Sequence, residues 1–578
     1  MAAMGAEPQR FEFGTFRLDV AGHFLLRDGR PVALTPKAFD ILLYLVRNPR
    51  RLATRDELMK AVWPDSFVEE TNLTVNISFL RKTLGEMHGG EPYIETVPRK
   101  GYRFNAPVRG LEDAAYTGVR SIAVMPFSPL SQESTDQYLG LGMADALITR
   151  LSNLRQVVVR PASTVRKYEA AEQDPMDVGR QLGVETVLQG SIRRSGDHTR
   201  VIVRLLRVRD GDVLWSERFD ENFADMFSVE DSISRQVAGA LALKLTGEEQ
   251  QRLSRNHTEN SEAYHLYLKG RYFWNKRTGE GLQKGIEHFE KAIQIDQNYA
   301  LAFAGLADSY ILLGSYTHSQ LPPLDAMLKA KAAAERALAL DSSLAEAHVS
   351  LAFIKLYYDW DWPGVEREFV RALELNPNYD TAHHWFSHYL TAMGRNEESL
   401  AECRHALELN PTDVVLNQHL AWYYLMARQY HEAVSQCRKT LEMDKDFLQA
   451  HRVLGLAYLY GGQRREAIGA FQKALELTEG GPVAKALLAQ AYALSNRIPE
   501  AKRALRELES QSQQRYVSSA DIATVFGALG ERDRAFQYLE KAYQEHSISL
   551  VNMKVDPAFD GVRSDPRFQD LLRRIGLG

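Results

Sequence analysis

From about Glu262 onward this 578-residue chain repeats itself every 34 residues, and no other feature restricts its fold as strongly. The cleanest copy is AHRVLGLAYLYGGQRREAIGAFQKALEL, residues 450–477. Its Gly462 corresponds to Gly394 and Arg428 upstream and to Asn496 and Gly530 downstream. In the same way Ala467 matches Ser399, Ala433, Ala501 and Ala535, while Phe471 matches Cys403, Cys437, Leu505 and Leu539. Five registers agree without a gap. A period of this size means stacked supersecondary units, each burying its apolar face on the next. The region is rich in Ala, Leu and Tyr and almost devoid of strand signal, so each unit reads as two helices. Small residues such as Gly455 and Ala467 sit where the helices approach, and Leu454, Tyr458 and Phe471 fill the space around them. Asn376-Pro377 and Asn410-Pro411 end second helices, because proline disfavours helical backbone in the residue before it.

This pattern resembles the tetratricopeptide repeat, a 34-residue helix–turn–helix unit. Looser copies begin near Glu262, near Ala300 with an insertion around SYTHSQLPPLD, and near Ala345 with Trp360-Asp361-Trp362 at the turn, giving eight units over 262–549. Such a stack forms a curved solenoid with a concave binding face. His348, His383, Asn417 and His451 share one repeated first-helix position and are the expected contacts to an unidentified protein or peptide partner. The tail, 550–578, ends in a short helix expected to cap the last unit. Cys403 and Cys437 lie one repeat apart, and packed helix axes are about 8–10 Å apart. A disulfide needs Cα atoms within about 7 Å, so both read as small packing residues. Two cysteines in the whole chain fit a reducing compartment.

Residues 118–247 have a different rhythm. IAVMPF reads as a short buried strand, and LGLGMADALITRLSN as a helix with Leu141, Ala144, Leu147, Ile148 and Leu151 on one face. VVVRPAST is a second strand and DVGRQLGV a short helix. Next come strands joined by Ser-Gly-Asp and Asp-Gly-Asp turns, then a closing helix in FSVEDSISRQVAGALALKL. The order resembles the amino-terminal domain of TolB and its relatives, a resemblance that brings no catalytic residue. Gly140 and Gly142 invite a phosphate-loop reading, but the glycine fingerprint is incomplete and no Walker lysine motif follows. Asp145, Glu230 and Asp231 read as solvated helix faces, with no nucleophile or histidine beside them.

In residues 10–108, FEFGTFRLDV, GHFLLRDG and PVAL read as three short strands. Thr35-Pro36 opens a helix whose buried side holds Phe39, Leu42, Leu43 and Val46. Thr54-Arg55-Asp56-Glu57 is a capping box at the start of a second helix. A third helix, about Glu70 to Leu84, stripes Leu73, Ile77, Leu80 and Leu84. YIETVPRKGYRF then makes a hairpin with a basic tip. The phrases PKAFDILLYLVRNP, RDELMKAVWPD, LRKTLG and IETVPRKGYRF, in order over about 95 residues, resemble the OmpR/PhoB-type winged-helix regulators. That family places its third helix in the DNA major groove and its wing along the backbone. The resemblance puts Asn72, Asn76, Ser78, Phe79, Arg81 and Lys82 on the groove side, and Arg99, Lys100 and Tyr102 on the wing. It puts Trp63, Pro64 and Asp65 in a loop that in the family can touch RNA polymerase. The blander reading of Arg81-Lys82 is a solvated helix end. With no receiver domain before residue 10, the order resembles CadC-like regulators, and VRGLEDAAYTGVRS, 108–121, reads as a short polar linker without a membrane span.

Seventy basic and 75 acidic residues leave a net charge of −5, so attraction to DNA has to be local. The segment Thr71 to Arg109 supplies it, with Arg81, Lys82, Arg99, Lys100, Arg103 and Arg109 against Glu86, Glu91 and Glu95. His384 and His388 have metal-ligand spacing, but neither a third ligand nor an HExxH pattern accompanies them in sequence, so no metal is expected. The chain thus reads as multidomain: an α+β winged helix–turn–helix, a small α/β domain and an all-α solenoid with its capping segment. Its expected function is sequence-specific transcriptional regulation in the cytoplasm, without cofactor or catalysis. Promoter DNA is the expected partner, RNA polymerase and a second copy on DNA are compatible ones, and the middle and repeat domains serve as sensor or interaction module. The alternative is a scaffold whose winged helix recruits a protein. A nucleotide cyclase, the third reading, would need a further domain of about 150–200 residues.

Overall fold

The computed structural model describes residues 10–578 apart from 20–23, 28–29, 33, 35, 64–69, 86, 88–89, 99, 112–119, 130–136, 170–172, 196–197, 223–225, 242, 244, 254–257, 315–322 and 514–515. It divides into two compact units, one ending at Gly118 and one running from Val119 to Gly578.

The first unit opens with β1 (Arg10–Phe13), β2 (Phe16–Asp19), β3 (Phe24–Arg27) and β4 (Arg30–Val32). These are followed by α1 (Pro36–Arg47), β5 (Leu52–Thr54), α2 (Arg55–Val62), α3 (Glu70–Leu84), β6 (Ile94–Val97), β7 (Gly101–Phe104) and β8 (Arg109–Leu111). One antiparallel sheet has the order β4-β3-β2-β1-β8, the other β5-β7-β6. The sequence reading of three opening strands is therefore corrected to four. Likewise 109–111 is not linker: it pairs with the open edge of β1, where its backbone groups find partners. Phe13 packs with Phe16, Tyr93 and Phe104 at centroid separations of 5.6, 6.0 and 5.1 Å, and Leu73, Ile77, Leu80 and Leu84 bury the expected stripe of α3. The capping box holds: Glu57 N–H donates to Thr54 Oγ1 at 3.2 Å, and Thr54 N–H to Glu57 Oε2 at 2.8 Å.

The second unit begins with β9 (Arg120–Val124), β10 (Ser128–Pro129), α4 (Gln137–Ser152), β11 (Val157–Val159), α5 (Ala162–Val165) and α6 (Pro175–Leu182). It continues with β12 (Thr186–Ser195), β13 (His198–Arg207), β14 (Val213–Asn222), α7 (Met226–Ala240) and α8 (Gly247–Leu253). The sheet order is β11-β9-β12-β13-β14, parallel through β11, β9 and β12 and antiparallel from there, with β10 alongside β12. Gly140 and Gly142 lie inside α4 and serve close packing. A Cβ on Gly140 would sit 2.1 Å from Phe127 O, and one on Gly142 3.2 Å from Leu268 Cβ.

Among the described residues, sixteen α-helices from Ser261 to Gln544 then follow in consecutive pairs, the first 261–275 with 279–295 and the last 519–528 with 532–544. The residue joining the two helices of a unit is left-handed in six successive copies: Trp360, Gly394, Arg428, Gly462, Asn496 and Gly530, with φ between 54° and 85°. The register read from sequence is thus a register of backbone conformation. Cys403 and Cys437 are free and buried, and burial pushes each thiol up to about 12.

The α/β block and the first repeats share one core, in which Val124, Met143, Leu147 and Ile233 pack with Leu268, Trp274, Phe289 and Tyr299. Asp145 is buried and accepts two bonds from Arg271 of helix 261–275, at 2.6 and 3.1 Å. Glu230 is buried 3.7 Å from Arg150. The reading of these carboxylates as solvated is corrected, because both close contacts within this unit; Asp231 pairs with Arg235 at 2.8 Å. Asn378 Nδ2 donates to the carbonyls of Leu154 and Val157, both at 3.0 Å, and Arg160 Nη1 to Leu409 O at 2.8 Å.

The tail does more than cap the last unit. Helix 566–574 pairs Arg574 with Glu540, but Trp362 Nε1 also donates to Ile575 O at 2.7 Å and Arg428 makes a two-pronged pair with Asp560 at 2.7 and 2.9 Å. Leu550, Phe559, Phe568 and Leu577 share a core with first-helix residues Val349, Phe386, Ala489 and Phe526. Among the described residues, no helix is long and apolar enough to cross a membrane.

Candidate nucleic-acid interface

Helix α3 turns its Leu73–Leu84 stripe inward, so the opposite side is what the fold leaves to a ligand. That side carries Asn72, Val75, Ser78, Phe79 and Lys82, all exposed, with Val75 at 61% and Phe79 at 39%. Val75 and Phe79, one helical turn apart, thus place two apolar side chains together in water on the face turned away from the core. Val75 joins the expected residues on this face, and its spacing from Asn72, Phe79 and Lys82 is the sequence signal that places it there. Asn76 lies at the margin, half-buried, with its Nδ2 donating to Asn72 O at 2.8 Å.

Arg81 has a different place from that expected. Its Nε donates to Ile94 O at 2.8 Å and its Nη2 to Thr96 Oγ1 at 2.7 Å, which ties α3 to the first strand of the wing. Arg103 pairs with Glu95 at 3.5 Å. Lys100 is exposed at the wing tip, where its N–H closes a turn on Val97 O at 3.0 Å. Gly101 ends that turn at φ 152°, and a Cβ there would stand 2.0 Å from Ala53 O, so the tip requires glycine to lie against β5. Tyr102 is corrected: alternation along β7 turns it into the core at 3% exposure, not toward a ligand. Arg99 lies outside the described residues, as do Pro64 and Asp65 of the expected polymerase loop. Trp63 is half-buried, with Lys37 Nζ 5.7 Å from its ring centroid.

The expected partner contacts on the repeats are also corrected. His348 Nε2 is 3.1 Å from Ser342 O, His383 Nε2 2.9 Å from Pro377 O, and His451 Nε2 2.9 Å from Lys445 O; Asn417 Nδ2 donates to Pro411 O at 3.2 Å. Each bonds the carbonyl six residues before it. Three also meet the second helix of their own unit, at Glu368, Glu402 and Gln436. The repeated position is an internal staple, which explains why it repeats. The expectation of no third imidazole beside His384 and His388 fails as well, since His419 of the next repeat comes to them.

Residues 29–104 match the family of transcriptional regulatory protein C-terminal domains, and 118–236 that of the HilA/YgeH-like transcriptional regulator second domain. The second description, rather than a TolB one, covers the α/β block. Tetratricopeptide-repeat families match 381–413, 402–435 and 458–520. The chain is a DNA-binding transcriptional regulator that joins an OmpR/PhoB-type winged helix to a tetratricopeptide-repeat module. Among its relatives, a protein named transcriptional regulator HilA, from Salmonella typhi, is 24% identical over 404 residues, 68% of this chain and 69% of that one. The transcriptional activator CadC of Escherichia coli (strain K12) is 39% identical over 83 residues, 14% of this chain and 16% of its own. A putative adenylate cyclase 3 of Rhizobium meliloti (strain 1021) is 32% identical over 235 residues, 40% of this chain and 39% of its own length.

Proposed function

We propose that this protein regulates transcription by laying the exposed face of α3 in the major groove of a specific site. Asn72, Asn76 and Ser78 would meet base edges, Val75 and Phe79 thymine methyl groups, and Lys82, Lys100 and Arg99 phosphates. Arg81 acts as a positioning residue that holds the wing to the helix. The observation that carries this reading is the pair of exposed apolar side chains, Val75 and Phe79, set among polar ones on the helix opposite a completed core. We read the domains as 10–108, 118–247, 262–549 and 550–578, with the third joined to the second through their common core.

The chain acts in the cytoplasm, binds as a dimer where its site has two halves, and offers the loop at Trp63, Pro64 and Asp65 to RNA polymerase. It regulates rather than catalyses, a reading supported by the two regulator families matched by its first two blocks. The repeat module takes a protein partner through surfaces other than the staple residues and the face covered by the tail.

The test is binding of the full chain to a duplex selected from a random pool, followed across salt concentration. Affinity should fall linearly on a log–log plot, with a slope of about −0.9 per phosphate contacted, and should exceed that for random duplex by roughly 1,000-fold or more. Failure to enrich any sequence, with capture of a protein by residues 10–108 instead, would favour the scaffold reading.

A further inference from the structure

Three imidazoles meet at the junction of two repeats. His384 and His388 lie one turn apart on helix 380–392, and His419 reaches them from helix 414–426. The ring centroids are 5.2 Å apart for His384 and His388, 4.6 Å for His384 and His419, and 4.8 Å for His388 and His419. One nitrogen from each lies within 4.8 Å of the others. His384 Nε2 is 2.8 Å from His419 Nδ1, and the Nδ1 of His388 is buried without a hydrogen-bond partner. Trp422, Tyr423 and Tyr357 wall the group, and the Tyr423 hydroxyl donates to His384 O at 3.1 Å, fixing that turn of helix.

The cluster is not part of the repeat signature. One repeat on, Gln418 and Trp422 stand at the positions of His384 and His388, and Trp385 and Val453 flank His419 in register. Ordinary packing needs no second or third imidazole here, and a buried ring nitrogen without a partner costs stability unless something occupies it.

We propose that His384, His388 and His419 form a binding site for a zinc-type divalent transition-metal cation that joins the first helices of these two repeats. Bonds of about 2.0–2.1 Å in a tetrahedron place donor nitrogens about 3.3 Å apart. The pair at 2.8 Å must open slightly and the wider separations close, shifts available to imidazole rotation. An all-imidazole set selects zinc, copper or nickel over magnesium or calcium, which take oxygen. Three neutral donors leave the cation's charge uncompensated, so the fourth position takes water or an anionic group such as a carboxylate. In the bound form the His384–His419 hydrogen bond is replaced by two metal bonds, and each ring keeps one N–H, so no net proton is released.

The experiment uses the full chain without a polyhistidine tag, stripped with a chelator and titrated with Zn²⁺ against a chromophoric competitor and with Co²⁺ alone. One equivalent should bind, and Co²⁺ should give the intense visible bands of four- or five-coordination. His388→Gln and His419→Gln should each lower Zn²⁺ affinity by roughly 100-fold or more, while His431→Gln, exposed at the start of helix 430–443, leaves it unchanged. His388→Cys should retain binding and add a thiolate-to-cobalt band in the near ultraviolet, which separates loss of a ligand from loss of fold. Less than one equivalent in the wild-type chain, a weak octahedral cobalt spectrum, undiminished affinity in His388→Gln and His419→Gln, or no thiolate band in a folded His388→Cys would each overturn the proposal.

Discussion

Phe79 separates recognition from folding. It is 39% exposed on α3, and a phenylalanine side chain presents about 200 Å² in all, so about 80 Å² remains to be covered by a ligand. At about 25 cal/mol per Å² that contact is worth ~2 kcal/mol, or roughly 30-fold in affinity. Phe79→Ala should therefore weaken binding to a selected duplex about 30-fold. Because no phosphate contact is lost, the slope of log affinity against log salt should not change. Lys82→Ala should do the reverse, with a loss that is largest at low salt and a slope shallower by about 0.9. Neither residue fills the core, so the melting temperature of each variant should stay within about 2 °C of wild type. Fluorescence anisotropy at five salt concentrations, with a thermal melt of each protein, reads all three quantities. A recognition role for Phe79 is refuted if Phe79→Ala binds like wild type, if its salt slope changes as Lys82→Ala's does, or if its melt falls by many degrees.

Arg81→Ala should cost stability as well as affinity, by about 1–3 kcal/mol, because it releases the two bonds to Ile94 O and Thr96 Oγ1; urea denaturation of the winged-helix transition checks this, and an unchanged midpoint would return Arg81 to the role of phosphate contact. Gly462 has open space where a Cβ would go and a φ of 85°, so Gly462→Ala should cost about 1 kcal/mol from backbone strain alone, whereas Asn496→Gly at the next equivalent turn should be neutral or stabilising. Matched urea midpoints at constant m-value compare the two, and an unchanged midpoint for Gly462→Ala or a lowered one for Asn496→Gly would remove the left-handed register as their common cause. Burial raises Glu230 to about 8, so its proton is held by the folded state while the unfolded chain releases it near the ordinary carboxyl range. Its contribution is thus fully present below that range and declines as pH rises toward 8, and Glu230→Gln should become progressively more stable than wild type between pH 5 and 9 (bounds set about the two pKa values); parallel stability curves would refute the burial.

The features visible in the sequence are those written in short-range periodicity. The 34-residue register survives because each unit solves the same packing problem, and the same position even selects left-handed backbone at Gly462, Arg428 and Trp360. The stripe of α3 and the Thr54 capping box are equally local. What sequence spacing did not reveal was direction and long-range company. Tyr102 sits beside two basic residues in a wing motif, yet strand alternation points it inward. His348, His383, Asn417 and His451 recur like a binding row, but recurrence also marks a structural staple, and only the carbonyl six residues back distinguishes the two. His419 lies 31 residues beyond His388, a separation with no meaning until the helices stack. Asp145 reads as one more acid on a helix until Arg271, 126 residues away, arrives beside it.

The return of the tail to Trp362 and Arg428 changes the thermodynamic character of the array. An open stack of repeats behaves as a one-dimensional chain of neighbours, whose ends melt first and whose parts fail one by one. Here the last segment is clasped to units near the middle of the stack, while the α/β block holds the first. Loosening of any inner repeat must then strain contacts far along the sequence, and the array between those anchors should respond to force, heat or a bound partner as a single cooperative body.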